Sequence, residues 1–172
     1  DISIITSVTP EHMEFFGTID VVAQEELDAA TYAKIAILNQ DDINGEFLKY
    51  LRNSNFSTYS SNGGANYNFI PNDFSLLEGF GGKIQTPEFG EIPVRAKVFG
   101  ELSLRPITGA VAVAIKLGLN PQEIINGLAS LKPVPGRMNF MRGLVDSVLI
   151  DDTYNSSPAA LTAAIQTLYA LS

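Results

Sequence analysis

The chain has 172 residues and a formal net charge of −8, from 19 acidic and 11 basic residues. Nucleic acid is therefore not expected as a partner, because phosphate binding requires clustered lysine and arginine. The sequence contains no cysteine, which excludes disulfides and a cysteine nucleophile and is typical of a cytoplasmic protein. The longest apolar runs, such as 110–115, are far shorter than the ~20 residues that span a bilayer, so no membrane association is expected.

The first sixty residues alternate between apolar strands and helices. Three β-branched or apolar runs are predicted strands: 2–7, 33–38 and 56–60. Apolar residues at three- and four-residue spacing predict helices over 19–32, with Asp20 as N-cap, and over 42–52. This alternation predicts an α/β domain with a largely parallel sheet. Because the chain opens directly on a strand, without an initiator methionine, we expect an internal fragment of a longer protein.

Glycine and proline divide the segment 62–100 into short pieces. Four of them are predicted antiparallel strands: 67–70, 74–78, 83–86 and 92–99. Apolar helices are predicted over 107–117, closed by Gly118, and over 122–131, begun by Pro121. A stiff linker, 132–136, precedes two further strands and a last helix, which are predicted at 137–142, 147–151 and 157–171.

Four polar motifs follow predicted strands or the linker, and the carboxyl ends of strands are where open α/β sheets bind ligands. They are Thr9-Pro10-Glu11-His12, Asn39-Gln40-Asp41-Asp42, Pro135-Gly136-Arg137-Met138 and the stretch 151–158. A histidine beside carboxylates suits a divalent metal, and an arginine after a Pro-Gly turn can reach a phosphate or stack on a base. Each motif also has a plain structural interpretation, as an exposed loop, a turn with an N-cap, a surface arginine or a helix cap.

Taken in this order, the four motifs resemble those of the Mur ligase family, most closely its branch that adds D-alanyl-D-alanine. The matching stretches are 12–18, 39–42, 131–138 and 151–158. The resemblance implies the later part of a central ATPase domain over 1–135, with a mostly parallel sheet, helices and small antiparallel strands. It implies the first strand and helix of a Rossmann-like C-terminal domain over 136–172.

The resemblance also implies an activity. In this family ATP phosphorylates a substrate carboxylate, and an incoming amine attacks the acyl phosphate to form an amide. The expected parent protein is an ATP-dependent acid–amino-acid ligase of peptidoglycan precursor synthesis that uses ATP and Mg²⁺. Its expected partners are small molecules: a UDP-sugar peptide, and an amino acid or dipeptide.

Five residues match family positions at the nucleotide and metal sites. His12 matches a histidine that helps to hold magnesium. Arg137 and Asp152 match nucleotide contacts, the aspartate through the ribose. Asn39 and Tyr154 fall near the adenine in relatives.

Glu26 occupies the place of a family lysine that is carbamylated, so that its end carries a carboxylate which bears on magnesium. A glutamate keeps the anionic end but is several bonds shorter. Glu26 is therefore the candidate catalytic and metal-binding acid, directly or through water. The other interpretation is an acid on a helix surface.

Two further departures from the family bear on nucleotide binding. The sequence has no G-x-x-G-K-(S/T) phosphate loop, so this chain by itself is expected to bind MgATP weakly or not at all. The family's G-x-H-N-x-x-N segment appears here from Gly100 with Leu102, Ser103 and Pro106 at the histidine and asparagine positions. Those residues supply no side-chain amide to read a base.

The departures leave alternatives open. The parent protein can be a catalytically inactive Mur-like binding protein, or a family ligase with another substrate, as in folate polyglutamylation or poly-amino-acid synthesis. We also expect the strand around 148–150 to be an exposed edge or to pair with another chain, because most of its native sheet lies outside a fragment. Self-association through that edge is therefore expected as a further possible interaction.

Overall fold

The computed structural model describes residues 1–10, 13–76, 78–145, 147–155 and 157–170. The strands are β1 (Ile2–Ile5), β2 (Ile35–Asn39), β3 (Phe56–Ser60), β4 (Tyr67–Ser75), β5 (Gly79–Thr86), β6 (Gly90–Ala96), β7 (Asn139–Arg142) and β8 (Val148–Asp151). The helices are α1 (Met13–Phe16), α2 (Ile19–Asp28), α3 (Leu104–Lys116), α4 (Pro121–Ala129) and α5 (Pro158–Ala170). Short 3-10 helices cover Ala29–Tyr32, Gly45–Tyr50 and Glu101–Ser103.

The first six strands form one sheet in sequence order, from β1 to β6, and β7 and β8 form a separate two-stranded sheet. Strands β1 to β4 pair in parallel, whereas β4, β5 and β6 pair antiparallel. The predicted α/β class, with a mostly parallel sheet and small antiparallel strands, is therefore confirmed.

The parallel half of the sheet is covered on both faces. In β2, Ala36 and Leu38 pack into a core with α2, whereas Ile37 packs into a core with α3. A strand buried on both sides reads as a continuous apolar run, which is why 33–38 was recognisable in the sequence. The outer strand β6 instead alternates buried and exposed residues, as expected where one face of an antiparallel sheet meets water.

Helix α3 lies directly against the sheet, and a glycine permits the close approach. A Cβ atom at Gly109 would lie 2.9 Å from Ile4 Cδ1 and 2.9 Å from Tyr59 Cζ. The buried face of α3 includes Leu104, Ile107, Val111, Ala112 and Ile115. This packing fixes the start of α3 beside the carboxyl ends of β1, β2 and β3.

The predicted helix over 42–52 is wrong. The structure has a 3-10 helix over Gly45–Tyr50 instead. Asn44 is extended, and its side chain accepts a hydrogen bond from the Glu46 amide, so the helical segment cannot begin before Gly45. The chain then leaves the helix at Leu51 to enter β3.

The predicted N-cap of the first long helix is also wrong. Thr18 is the N-cap of α2, because its side chain accepts from the Val21 amide. Asp20 accepts instead from Lys49 Nζ at 3.0 Å and from the Tyr50 hydroxyl at 2.7 Å. The α-helix ends at Asp28, and 3-10 geometry continues through Tyr32.

Other boundaries also differ from the predictions by a few residues. The separate strand predicted at 74–78 is wrong, because residues 74–75 are the end of the nine-residue strand β4, whose pairing with β5 continues through a bulge between Pro71 and Asp73. Helix α3 begins at Leu104 rather than at 107, since Pro106 falls in its first turn, where the missing N–H has no partner to lose. Strand β7 begins at Asn139 rather than at 137.

The strands β7 and β8 pair antiparallel, and α5 follows them. In the part of the chain that is described, β8 has β7 as its only neighbour, as expected of an edge strand. A search of the described helices finds none that is long and apolar enough to cross a membrane.

Candidate functional site

A polar network lies at the carboxyl end of β2. The Asn39 amide donates to the Thr6 carbonyl at 2.7 Å and to Asp42 Oδ2 at 2.6 Å, while its oxygen accepts from the Asp41 amide at 3.0 Å. Asn39 is buried, and both of its amide protons are used within the chain. The Asn39 side chain therefore links the carboxyl ends of β1 and β2.

Asp41 connects this network to the end of β3. Its carboxylate accepts from the Ser60 hydroxyl at 2.5 Å and from the Ser61 amide and hydroxyl at 2.7 and 3.0 Å. Burial raises the pKa of Asp41, but the hydrogen bonds from Ser60 and Ser61 and the charge of Arg105 outweigh it, so the pKa lies below its ordinary value. Asp41 is therefore held as a carboxylate.

Arg105, in the first turn of α3, completes the network. Its Nη1 lies 2.6 Å from Asp42 Oδ1, and its Nε lies 3.5 Å from Asp41 Oδ2. The side chain of Asp41 is 4% exposed and that of Arg105 is 22% exposed, so the ion pairs are largely shielded from solvent. We call these residues the Arg105 network: Asn39, Asp41, Asp42, Ser60, Ser61 and Arg105.

Sequence reasoning missed Arg105. One signal was available, because a cation at the amino end of a helix is unfavourable for the helix dipole and needs a nearby carboxylate. The partner itself is 63 residues away along the chain, and no local pattern identifies it.

A second polar arrangement brings two of the predicted motifs together. The Gly136 amide donates to Asp151 Oδ2 at 3.1 Å, and the Met138 amide donates to Asp152 Oδ1 at 2.9 Å. The Tyr154 amide donates back to the Gly136 carbonyl at 3.1 Å. We call this pair of turns, 136–138 and 151–154, the double turn.

Close packing and backbone strain hold the double turn in place. Gly136 has φ +73°, and a Cβ there would lie 3.1 Å from the Tyr154 amide nitrogen. Met138 has φ +45°, a conformation that costs a residue with a side chain about 1 kcal/mol. The hydrogen bond from its amide to Asp152 supports this strained turn.

Arg137, between these two residues, is exposed. Its guanidinium carbon lies 4.3 Å from the centre of the Tyr154 ring, a cation–π contact. The hydroxyl and amide of Thr153 and the Gly136 amide lower the pKa of Asp151, against a smaller opposing effect of burial. The double turn thus presents one cation and two acids at the surface.

A cleft of about 720 Å³ opens between the double turn and the start of α3. One wall is aromatic and is formed by Phe74, Phe80 and Phe99. The next is the segment Gly100–Ser103, and Arg137, Met138 and Asp152 face it from the double turn. Helix α5 completes the cleft with Ala160, Ala163, Gln166 and Thr167. A cavity of this size accommodates a nucleotide-sized ligand.

The cleft wall at Gly100 requires a glycine. Gly100 has φ +75°, and a Cβ there would lie 3.1 Å from Met138 Cε and 3.2 Å from Thr167 Oγ1. Leu102 lines the cleft and remains 42% exposed. An apolar side chain therefore faces solvent at the cleft.

The predicted nucleotide-binding residues do not all lie at the cleft. Arg137 and Asp152 line the cleft, and Tyr154 contacts Arg137. Asn39 is not among the residues that line the cleft, and it lies in the Arg105 network. Its proposed contact with a nucleotide stays a prediction.

The structure does not test the predicted metal site. Glu26 is an exposed residue of α2, and His12 lies outside the described residues. Within the described ranges, no group of three histidine, aspartate or glutamate residues is arranged to hold a metal ion. The roles of His12 and Glu26 with Mg²⁺ therefore stay predictions.

Two curated relatives match nearly the whole chain. The UDP-N-acetylmuramoyl-L-alanyl-D-glutamate–2,6-diaminopimelate ligase of Synechocystis sp. is 30% identical over 95% of this chain and 33% of its own length. The UDP-N-acetylmuramoyl-tripeptide–D-alanyl-D-alanine ligase of Escherichia coli is 28% identical over 96% of this chain and 37% of its own length. The chain thus spans about a third of the length of these relatives.

Solved structures share the fold over almost the entire chain. MurF from Acinetobacter baumannii matches with a TM-score of 0.84 and 26% identity, over 98% of this chain and 37% of that one. MurF from Thermotoga maritima in complex with ADP matches with a TM-score of 0.78 and 25% identity, over 98% and 39%. FPGS of L. casei has a TM-score of 0.81 at 16% identity, over 99% and 42%, which shows the fold alone.

The family model described as the Mur ligase middle domain matches residues 1–114. That range holds all six strands of the large sheet and most of α3. Because the match covers more than half of the chain, this protein belongs to the Mur ligase family.

Proposed function

We propose that this chain is the later part of the nucleotide-binding region of an ATP-dependent amide ligase. The observation that carries the proposal is the cleft, in which Arg137 and Asp152 of the double turn face the segment that leads into α3. The parent protein joins an amino acid or dipeptide to the carboxylate of a UDP-sugar peptide in peptidoglycan precursor synthesis. The names of the relatives support this substrate class.

In this proposal Arg137 and Asp152 of the double turn have separate tasks. Arg137 provides a cation for a phosphate or a plane for a base, and its stacking on Tyr154 holds it at the cleft mouth. The Asp152 oxygen that does not accept from Met138 is available to a ribose hydroxyl. Bound ATP supplies the phosphoryl group that activates the carboxylate.

We further propose that His12 and Glu26 hold Mg²⁺, on the basis of the resemblance to the family. In the complete gene product, changing Glu26 to glutamine should raise the Mg²⁺ concentration required for half-maximal turnover, since the carboxylate charge is lost. Glu25→Gln is the matched control, because Glu25 is an exposed neighbour on the same helix. Equal Mg²⁺ dependence in the two variants would identify Glu26 as a plain surface acid.

We place the domain boundary between 135 and 136, where the chain passes from α4 to the double turn. The separate pairing of β7 with β8 supports this boundary.

We propose a cytoplasmic location, where UDP-sugar substrates are made, and self-association through the free edge of β8. Analytical ultracentrifugation tests the last point, because a monomer at all concentrations contradicts it.

The alternative function is a Mur-like protein that binds a nucleotide or partner without catalysis. The exposed Leu102 at the cleft favours it, because this side chain cannot donate a hydrogen bond to a bound nucleotide. A ligase for another substrate, such as folate, is a further alternative that the fold of FPGS permits.

Turnover by the complete gene product decides between these functions. ADP release is measured with UDP-sugar tripeptide and D-alanyl-D-alanine, and with glutamate and a folate as the competing pair. We expect ADP release with the first pair and a raised KM for ATP in Arg137→Ala. Arg95→Ala, on an exposed ion pair of the sheet, is the control. Nucleotide binding without turnover on any carboxylate–amine pair would establish the non-catalytic alternative.

A further inference from the structure

Helix α5 presents one polar side chain with unused hydrogen-bonding groups to the cleft. Its cleft face consists of positions 160, 163, 166 and 167, which are neighbours on a helix surface. The first two are alanines, whose small side chains leave the space in front of the helix open. Gln166, a turn further along, projects a flexible amide from the same face.

The other uncharged polar groups of the cleft are already engaged. The Ser103 hydroxyl donates to the Phe99 carbonyl at 2.6 Å, and the Thr167 hydroxyl donates to the Ala163 carbonyl at 2.9 Å. No hydrogen bond joins the Gln166 side chain to another described residue. It is also the only side-chain amide among the described residues that line the cleft.

The aromatic wall of the cleft limits the shape of the ligand. Phe74 is half-buried there, Phe80 and Phe99 border the cleft from the core, and Leu102 adds an exposed apolar side chain. These groups favour a flat ring system, while the amide favours an edge with a donor beside an acceptor. Adenine has such an edge at N6 and N7, where guanine has two acceptors, and a glutamine amide pairs with that edge of adenine through two hydrogen bonds.

We propose that Gln166 is the specificity-determining residue that recognises an adenine base in the cleft. This inference rests on the proposed nucleotide-binding function and assigns base selection to α5 rather than to the segment 102–106. Leu102, Ser103 and Pro106 contain no side-chain amide, so the amide that reads the base edge comes from α5.

The test compares ADP and GDP binding to the complete gene product by isothermal titration calorimetry. Gln166→Leu removes both hydrogen bonds and should weaken ADP binding about tenfold, with little change for GDP. Gln166→Glu replaces a donor with a second acceptor, which opposes adenine and suits the two adjacent N–H donors of guanine. Its ADP-to-GDP preference should therefore fall well below that of Gln166→Leu.

Gln24→Leu is the matched control, because Gln24 is an exposed glutamine on α2. Circular dichroism melting confirms that each variant is folded, as expected for exposed positions. Unchanged ADP-to-GDP preference in both Gln166 variants would overturn this inference and leave the proposed function intact. Failure of the unsubstituted protein to bind either nucleotide would overturn both.

Discussion

The Arg105 network and the double turn are both built from adjacent aspartates, but they use their carboxylates differently. Asp41 and Asp42 are directed at partners inside the chain, and solvent reaches little of Asp41. In the double turn, Asp151 and Asp152 accept backbone hydrogen bonds while Arg137 and Tyr154 remain exposed. The first arrangement therefore orders the sheet edge, and the second leaves groups for a ligand.

The largest expected effect is the loss of Arg105. Arg105→Leu leaves two neighbouring carboxylates without their counter-charge, one of them nearly buried, and should reduce the free energy of unfolding by about 3 kcal/mol. Arg95→Leu is the control, since its pair with Asp73 is exposed and should contribute below about 1 kcal/mol. Urea unfolding measures both. Equal effects would show that the Arg105 network does not order the fold.

An intermediate effect is expected at Gly100, which lies against Met138 of the double turn. Gly100→Ala places a methyl group 3.1 Å from Met138 Cε at a φ of +75°, and should reduce the free energy of unfolding by about 1 to 2 kcal/mol. Gly90→Ala shares the positive φ but meets no atom within 4 Å, so it isolates the conformational part. The steric part is the difference between the two variants in urea unfolding. No difference would mean that the contact with the double turn carries no packing energy.

The smallest expected effect is the pH dependence of stability. Because the pKa of Asp41 is lowered by folding, its stabilisation is fully present above about pH 4 and is lost as the pH falls through the folded-state pKa. Asp41→Asn should therefore flatten the loss of stability on acidification. Asp151→Asn is expected to do so less, because solvent screens the double turn. Stability curves from pH 7 to 2 compare the variants, and an unchanged slope in Asp41→Asn would contradict the assignment.

Local sequence signals predicted most of the strands and helices. The apolar run that became β2 is buried on both faces, and Asn120 and Glu123 cap α4 with the proline-led start that was predicted. Residues 42–52 were misread because their apolar spacing suits a helix while Asn44 binds the backbone locally. A competing side-chain hydrogen bond is invisible to periodicity.

The candidate site was only partly predictable. Arg137 and Asp152 were recognisable because each follows a distinctive turn or strand. The Arg105 network depends on a pair separated by 63 residues, and Gln166 depends on where α5 packs. Both are products of tertiary structure, which one sequence does not encode in any local pattern.

The phenylalanines beside the cleft also provide a reporter. The ring centres of Phe74 and Phe80 are 4.7 Å apart, those of Phe74 and Phe99 6.2 Å, and those of Phe99 and Phe140 of β7 4.3 Å. The row of rings therefore extends from the large sheet into the small one. Phe99 lines the cleft and contacts Phe140, so a shift of β7 alters the ring currents at the cleft wall. Fluorine resonances from labelled phenylalanine would record such a shift without any added dye.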